Sequence, residues 1–409
     1  MTRPWDAIVI GARCAGSPTA LLLARRGYRV LLVDSAQFPS DTLSTHQLHP
    51  PGVEALERWG VLERLVATDC PAIGKYTFDF GPFALSGSPG TAATPFAYGP
   101  RRTVLDQLLL DAASQAGVEV RQGFTVDELT TEAGRVTGIR GHAGGKQVTE
   151  SARVVIGADG RHSLVAKQVR PAHYHERPKV QVSYYAYFSD LPTDGFETYM
   201  RDYVGWGAIP THDGLTVLIV ARPIAEFDAI RQNIEGRYFE AFRVVPAFAE
   251  RVRRAKRQSP FFGASVEGYF RKPFGAGWAL VGDAGYNKDF IPAMGISDAF
   301  RDAELCAQAL DAAFSGAKSF DDALLIYQQT RDEHSFPMYE FTYQIAPLAP
   351  PPPAFQELLH AVHSDPRETA RFIHVTSGLL SPAVFFSQQS VQGIFAHAGK
   401  AKRHVDAHS

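Results

Sequence analysis

Ala7-Ile-Val-Ile10 is a short apolar run without polar interruption, the pattern of a strand buried on both faces of a parallel sheet. It leads directly into Gly11-Ala-Arg-Cys-Ala-Gly16 and then into Leu21-Leu-Leu-Ala-Arg-Arg26, a helical stretch closed by Gly27. Arg29-Val-Leu-Leu-Val33 reads as a second strand, and Asp34 stands at its end, 23 residues after Gly11. Strand, glycine turn, helix, strand and acid in that order confine the start of the chain to a doubly wound α/β unit that binds a dinucleotide. Each part has a physical task. Gly11 permits the tight turn, and Gly16 lets the helix sit close to the strand. The helix N-terminus at Cys14, Ala15 and Gly16 offers N–H donors to a pyrophosphate. Arg13 replaces the middle glycine, which obstructs the backbone approach there and brings a cation beside the phosphates instead.

Composition narrows the partners. Forty-one basic residues against 43 acidic ones give a net charge of −2, with no long run of either sign. That excludes the electrostatic footprint of a nucleic-acid or membrane-surface binder. No stretch approaches the ~20 apolar residues of a membrane span. Cys14, Cys70 and Cys306 are few and far apart, which suits a reducing compartment better than a disulfide framework. The expectation is a soluble cytoplasmic protein of two or three domains; the oligomeric state is not readable.

Two further segments carry glycine and aspartate at the end of a strand. Val154-Val-Ile-Gly-Ala-Asp159-Gly160-Arg-His-Ser163 is a buried strand running into a turn. Trp278-Ala-Leu-Val-Gly282 ends at Asp283; Gly295 follows twelve residues later and opens a helix through Asp302-Ala303. No second G-x-G-x-x-G lies downstream, which points to one firmly held dinucleotide. Two distant segments are therefore expected to grip a single cofactor, FAD.

Gly11 to Gly16, Asp159-Gly160 and Gly282-Asp283 together resemble the flavoprotein monooxygenases of the para-hydroxybenzoate hydroxylase fold (group A). Within that superfamily the chain is similar to bacterial FAD-dependent oxidoreductases and monooxygenases with Gly-Ala-Arg-Cys-Ala-Gly and Asp41-Thr-Leu-Ser-Thr-His46 motifs, close to the geranylgeranyl-reductase branch. The resemblance spans roughly residues 5 to 330. It implies an α/β protein in which a Rossmann-like FAD-binding domain (1–75, 98–175 and 270–345) interleaves with an antiparallel substrate sheet (76–97 and 176–269), followed by a C-terminal helical segment and tail (346–409). It also implies that Asp34 holds the adenosine ribose, that Arg102 lies near the cofactor phosphate and ribose, and that Asp283 binds the ribityl chain. Gly295 and Ile296 would begin the helix whose N-terminus faces the flavin N1/C2=O edge, where negative charge on the reduced ring is stabilised. The chain departs from the family pattern at Tyr286, Phe290, Ala293 and Ser297, which stand where histidine, proline, glycine and asparagine are usual. Ala166 stands where hydroxylases carry arginine, which leaves the source of reduction open.

In the family the crossover Asp41-Thr-Leu-Ser-Thr-His46-Gln-Leu-His49 approaches the flavin ring, so Thr45 and His46 are candidates for contact at the reactive edge. The alternative is that His46 and His49 cap and position the loop. No third and fourth ligand follow at zinc-like spacing, so no metal is expected. Tyr76-Thr-Phe-Asp-Phe80 and Lys179-Val-Gln-Val-Ser-Tyr-Tyr-Ala-Tyr-Phe188 alternate like strands, joined by Gly205-Trp-Gly-Ala-Ile-Pro210 and Leu215-Thr-Val-Leu-Ile-Val220. The sheet is expected to turn one face to the flavin and leave the other free to meet solvent. Phe78, Phe80, Tyr185, Tyr187 and Trp206 are candidates for an apolar substrate pocket or, on the plainer reading, for strand core. A helix is expected to stop at Pro337, a short one to resume over Phe355 to His363, the tail phenylalanines Phe385, Phe386 and Phe395 to pack on the body, and the end from Gly399 to Ser409 to fray.

The resemblance implies a monooxygenase: NAD(P)H reduces the FAD, O2 forms a C4a-hydroperoxide, and oxygen passes to an aromatic or polycyclic small molecule. No acid–base residue is demanded. The rival is a reductase of C=C bonds. A halogenase is weaker, because Gly205 and Gly207 occupy the tryptophan positions of a W-x-W-x-I-P motif and Lys75 is an isolated lysine. A flavin-binding protein that does not turn over is the remaining class.

Overall fold

The computed structural model describes residues 3–406, with side chains described through 398. Its first sheet is built around the strand Trp5–Ile10, which runs parallel to Val30–Asp34 on one side and to Lys146–Gly157 on the other. Glu119–Gln122 and Trp278–Leu280 extend the parallel order outward, and Phe274–Gly275 closes one edge in antiparallel fashion. Ile10 pairs with both Val33 and Gly157, so Gly11, Asp34, Ala158 and, across Gly157–Leu280, Gly282 emerge at the same edge. Ligands bind at that carboxyl edge of open α/β sheets. The helices Gly16–Ala24, Arg102–Gln115 and Gly295–Phe314 cover one face and bury Leu21, Leu105, Leu109, Phe300 and Leu310.

The second sheet has the order Lys256–Arg257, Gln181–Ser189, Thr216–Pro223, Val204–Pro210, Phe196–Arg201, Tyr76–Asp79, Ala84–Gly87. It is antiparallel except where Phe196–Arg201 runs parallel to Tyr76–Asp79. The pleat sorts its residues by period two. Ser183, Tyr185, Gly205, Gly207, Ile219, Ala221, Phe196 and Thr198 share the inner face, because Ser183↔Ala221, Tyr185↔Ile219, Gly205↔Ala221, Gly207↔Ile219 and Thr198↔Gly207 are direct partners. Tyr184, Ala186, Trp206, Tyr199 and Val220 share the outer face.

That outer face does not meet solvent, contrary to the expectation from alternation. Helices over 227–254 cover it with Tyr238, Phe242 and Phe248, all but fully buried. Their amphipathic pattern is broken by polar residues between short helical pieces, so the sequence hides the cover. Pro337 also fails to end its helix, which runs Phe320–Ile345. Pro337 offers no N–H to the Glu333 carbonyl, and Glu333 is exposed, where a lost helix bond costs less than in the core. Beyond it, Pro353–His363, Pro366–Thr376 and the last helix, Gln388–Asp406, pack on the hairpin strand Ala84–Gly87 and on Met338 and Phe341. Phe385 and Phe386 join that core, whereas Phe395 is 41% exposed. The expected fraying falls where backbone is helical to Asp406 but side chains from 399, and residues 407–409 altogether, lie outside the described residues. Among the described residues no helix is long and apolar enough to cross a membrane.

The tightest joint of the molecule is at the first turn. A Cβ on Gly16 would stand 1.7 Å from the Gly11 carbonyl oxygen, and one on Gly11, at φ +101°, would stand 2.4 Å from the Ala158 carbonyl oxygen. Gly16→Ala is expected to destabilise the protein by about 1–3 kcal/mol or more in urea unfolding followed by circular dichroism. Gly393→Ala, in the last helix with no atom within 4 Å of the added Cβ, is expected to be neutral or stabilising by about 0.5–1 kcal/mol.

Candidate functional site

A cavity of about 760 Å³ opens along the carboxyl edge of the first sheet and continues between it and the inner face of the second. Gly11, Arg13, Cys14, Ala15, Asp34 and Arg102 line it, as do Asp159, Gly282, Asp283, Thr45, Tyr185, Gly295 and Ile296. The structure thus brings together the residues singled out for cofactor binding, with one exception. Gly16 is not in the wall; its place is the close contact with Gly11 described above.

The polar groups at the first turn are tied to one another. Asp34 accepts hydrogen bonds from the N–H groups of Ala12 (2.7 Å) and Ala36 (2.8 Å), which fixes its carboxylate at the strand end. Arg13 donates to Asp106 at 2.7 Å and to the Ser40 hydroxyl at 2.7 Å, so its guanidinium is anchored at the wall. Arg102 makes a two-pronged pair with the same Asp106. Burial, reinforced by Asp106, pushes the Cys14 thiol well above its ordinary range, so it is packing and not a nucleophile.

Elsewhere the walls carry charge. Asp283 lines the cavity; its backbone carbonyl accepts from the Tyr269 hydroxyl at 2.8 Å, while its carboxylate has no hydrogen-bond partner among the described residues, and burial raises its carboxyl while Lys288 and Arg102 pull it down. Asp159 gives one oxygen to the N–H of Leu164 at 2.7 Å and keeps the other unpartnered. The Gly295–Phe314 helix starts at this wall with no side-chain cap. Lys288 lies in the wall and pairs with Asp298 of that helix, which Arg301 also holds at 2.8 Å. Asp289, fully buried beside Lys288, gives one oxygen to Gln181 and the Ile291 N–H and leaves the other unpartnered; burial pushes its carboxyl up to about 6. Lys288, Asp289 and Asp298 belong to no motif of the sequence; the one signal for Lys288 and Asp289 is the departure from the family pattern between Tyr286 and Phe290, and for Asp298 the departure at neighbouring Ser297.

The room fits FAD. Its size is that of a cofactor cleft. A dinucleotide needs backbone close to its pyrophosphate, and Gly11 and Gly282 (φ +61°) supply it, since a Cβ on either would collide with its neighbours. An uncapped helix start and a partnerless carboxylate are the groups an anionic ring edge and a polyol chain would satisfy.

Several candidates stand elsewhere. His46 is fully buried, lines neither this cavity nor the smaller one beyond it, and shares a 2.6 Å hydrogen bond between Nε2 and the Tyr187 hydroxyl. Burial first, then Arg102 and Arg101, lower it to about 3, so it is neutral and locks the loop. His49 does the same for the opposite wall, bridging the Tyr76 hydroxyl (2.8 Å) and the Pro292 carbonyl (3.1 Å), and burial lowers it to about 4. Tyr187 lies behind the wall, between His46 and the Arg101 guanidinium. Phe80 packs on Phe83 and Phe372 because its strand end has passed under the C-terminal helices. Trp206 is among the residues lining the smaller cavity, with its ring on the outer face of the sheet, stacked on Tyr199.

Residues 5–221 match the FAD binding domain family. The chain belongs to that family. Members of this FAD binding domain family bind the cofactor for which the cavity is built, so FAD is the resident group. A tryptophan 2-halogenase of Chondromyces crocatus is 24% identical over 341 residues, 80% of this chain and 65% of the relative's own length. The fold is shared with the myxobacterial chondrochloren halogenase CndH (TM-score 0.78, 23% identity, 93% of this chain and 98% of that one). It is equally that of PqsL of Pseudomonas aeruginosa, described as a probable FAD-dependent monooxygenase (TM-score 0.70, 20% identity, 90% and 99%).

A Cβ on Gly295 meets nothing within 4 Å, so Gly295→Ala is expected to fold as the parent does while its methyl projects where FAD must approach. Titration of the apoprotein by flavin fluorescence should show affinity lowered on the order of tenfold, about 1.4 kcal/mol; unchanged affinity would contradict the placement. His49 is held neutral, so its folded pKa is depressed, and its contribution to stability is present above about pH 6.5 and lost as pH falls toward 4. Unfolding of His49→Asn measured between pH 4 and 7 should show an acid limb shallower by about one proton, or about 1.4 kcal/mol per pH unit.

Proposed function

We propose that the protein is an FAD-dependent monooxygenase that hydroxylates a small aromatic molecule, with NAD(P)H as reductant and O2 as co-substrate. The observation that carries this reading is a second, smaller chamber joined to the FAD cavity through Thr45, Ser183, Ile219, Phe290 and Ala293, which line both. Bound FAD, once reduced, supplies the oxygen-activating chemistry. The chain's own residues do the remainder. Lys288 and the uncapped start of the Gly295 helix hold negative charge at the wall. Thr45 and Ser183 bring hydroxyls to the threshold, and the apolar chamber keeps water from the reacting atoms. Asp289, a buried wall carboxyl with one unpartnered oxygen that burial pushes up to about 6, is a group suited to hold a proton there.

A halogenase is the second reading, favoured by the tryptophan 2-halogenase relation over 80% of the chain. Against it, Lys75 forms an exposed pair with Asp194 and lines neither cavity, and glycines stand at 205 and 207.

Stopped-flow mixing with NAD(P)H should bleach the flavin, and a ring substrate should then raise oxygen uptake without matching release of peroxide. Repeating the turnover with bromide should leave the product unbrominated. Brominated product would favour the halogenase, and saturation of an alkene without O2 the reductase.

A further inference from the structure

Arg331 is the largest fully buried side chain among the described residues, and it lines neither cavity. A guanidinium taken out of water is tolerated only where its N–H groups find acceptors. Four of them do. Nε donates to Asp332 Oδ1 at 2.8 Å, and Nη1 to the Gly285 carbonyl at 3.1 Å. Nη2 donates to the Tyr174 hydroxyl at 2.8 Å and to the Arg271 carbonyl at 3.0 Å. Asp332 and Tyr174 tie the helix Phe320–Ile345 to the strand His173–Arg177. The other two bonds end on the backbone behind the cofactor cavity. Gly285 belongs to the turn that brings Gly282, Asp283 and Tyr286 into the wall, and Arg271 ends the strand Gly268–Arg271, which pairs with Tyr286–Asn287.

Each carbonyl of this turn has a donor. The Gly282 carbonyl accepts from the Gly285 N–H at 2.8 Å, that of Asp283 from the Tyr269 hydroxyl at 2.8 Å, and that of Ala284 from Arg271 Nη1 at 2.9 Å. The Gly285 carbonyl takes the Arg271 N–H at 2.9 Å as well as Arg331. Tyr269, Arg271 and Arg331 all stand outside the cavity wall, so the turn is gripped from behind. A Cβ on Gly285 would lie 3.0 Å from Arg331 Nη1, so glycine there is what lets the guanidinium come close. The grip matters because the Asp283 carboxylate has no hydrogen-bond partner to aim it, and a turn with glycine at 282 and 285 is by itself loose. We infer that Arg331 is a positioning residue for FAD: through the Gly285 and Arg271 carbonyls, and together with Tyr269, it fixes the Gly282–Tyr286 backbone in the conformation that presents Asp283 to the cofactor. The ordering entropy is then met when the protein folds and not when FAD binds. A planar fork can span two carbonyls, which the single ammonium of a lysine cannot do in the same geometry. The long helix is thereby part of the cofactor site although none of its first half reaches the cavity. The inference needs FAD in this cleft and no particular reaction, so it is independent of the monooxygenase reading.

The test is calorimetric titration of the full-length apoprotein with FAD and, separately, with ADP, which lacks the flavin and its ribityl chain. Arg331→Lys keeps the buried charge but loses the fork, and should lower FAD affinity at least about fivefold. Tyr269→Phe removes only the donor to the Asp283 carbonyl, and should lower it about threefold to fivefold. ADP affinity should stay within about twofold of the parent in both, because the first glycine turn and Asp34 are untouched. Tyr269→Phe leaves the buried charge in place and decides the question alone where Arg331→Lys does not fold. Unchanged FAD affinity in either folded variant would overturn the inference. So would loss of FAD and ADP by the same factor, which is what a general loosening of the fold produces.

Discussion

The contact between Gly16 and the Gly11 carbonyl, with Gly11 itself against Ala158, governs the rest of the molecule. It sets the first helix directly on the strand ends, and only with that approach do Asp34, Asp159 and Gly282 emerge at one edge facing one cavity. The Arg13–Asp106–Arg102 cluster then fixes the Arg102–Gln115 helix against the same edge. A cofactor cleft built this way is held by backbone more than by side chains, which is why glycine recurs in it and why its walls are rigid.

The second sheet meets this cleft with one face only, and the pleat decides which side chains face the cleft. Trp206 and Tyr184 turn outward under the helices over 227–254, whereas Gly205, Gly207 and Thr198 turn inward. The inner surface is consequently short of side chains at its centre, and the space left over becomes the chamber. His46 and His49, neutral and buried, brace the crossover loop and the Pro292 wall on either side of the threshold. They are supports for the site's shape.

Much of this was legible from residue spacing. Gly11, Gly16 and Asp34 announce the first sheet because the turn, the helix contact and the strand-end acid each need one residue type at one distance. Gly295 was readable as a helix start for the same reason. The substrate side was not. Alternating aromatics state that a strand has two faces but not which face is inward, so Trp206 could not be separated from Phe78 and Tyr185; Tyr187 shares the inner face with Tyr185 and is set apart only by its packing on His46 and Arg101. Phe80 belongs to a core completed by helices almost 300 residues later. Lys288 and Asp289 look like departures from a pattern, and only packing shows that both line the cavity wall.

The central claim is that FAD held on this edge passes oxygen through the threshold into a ring in the chamber. It is tested most directly by turning over the reduced holoprotein with 4-methylphenol under 18O2 and weighing the product. The account predicts a catechol carrying one 18O atom per molecule, with yield that falls in Gly207→Ile. Product without the label, or 18O recovered only as peroxide while 4-methylphenol is bound, would contradict it.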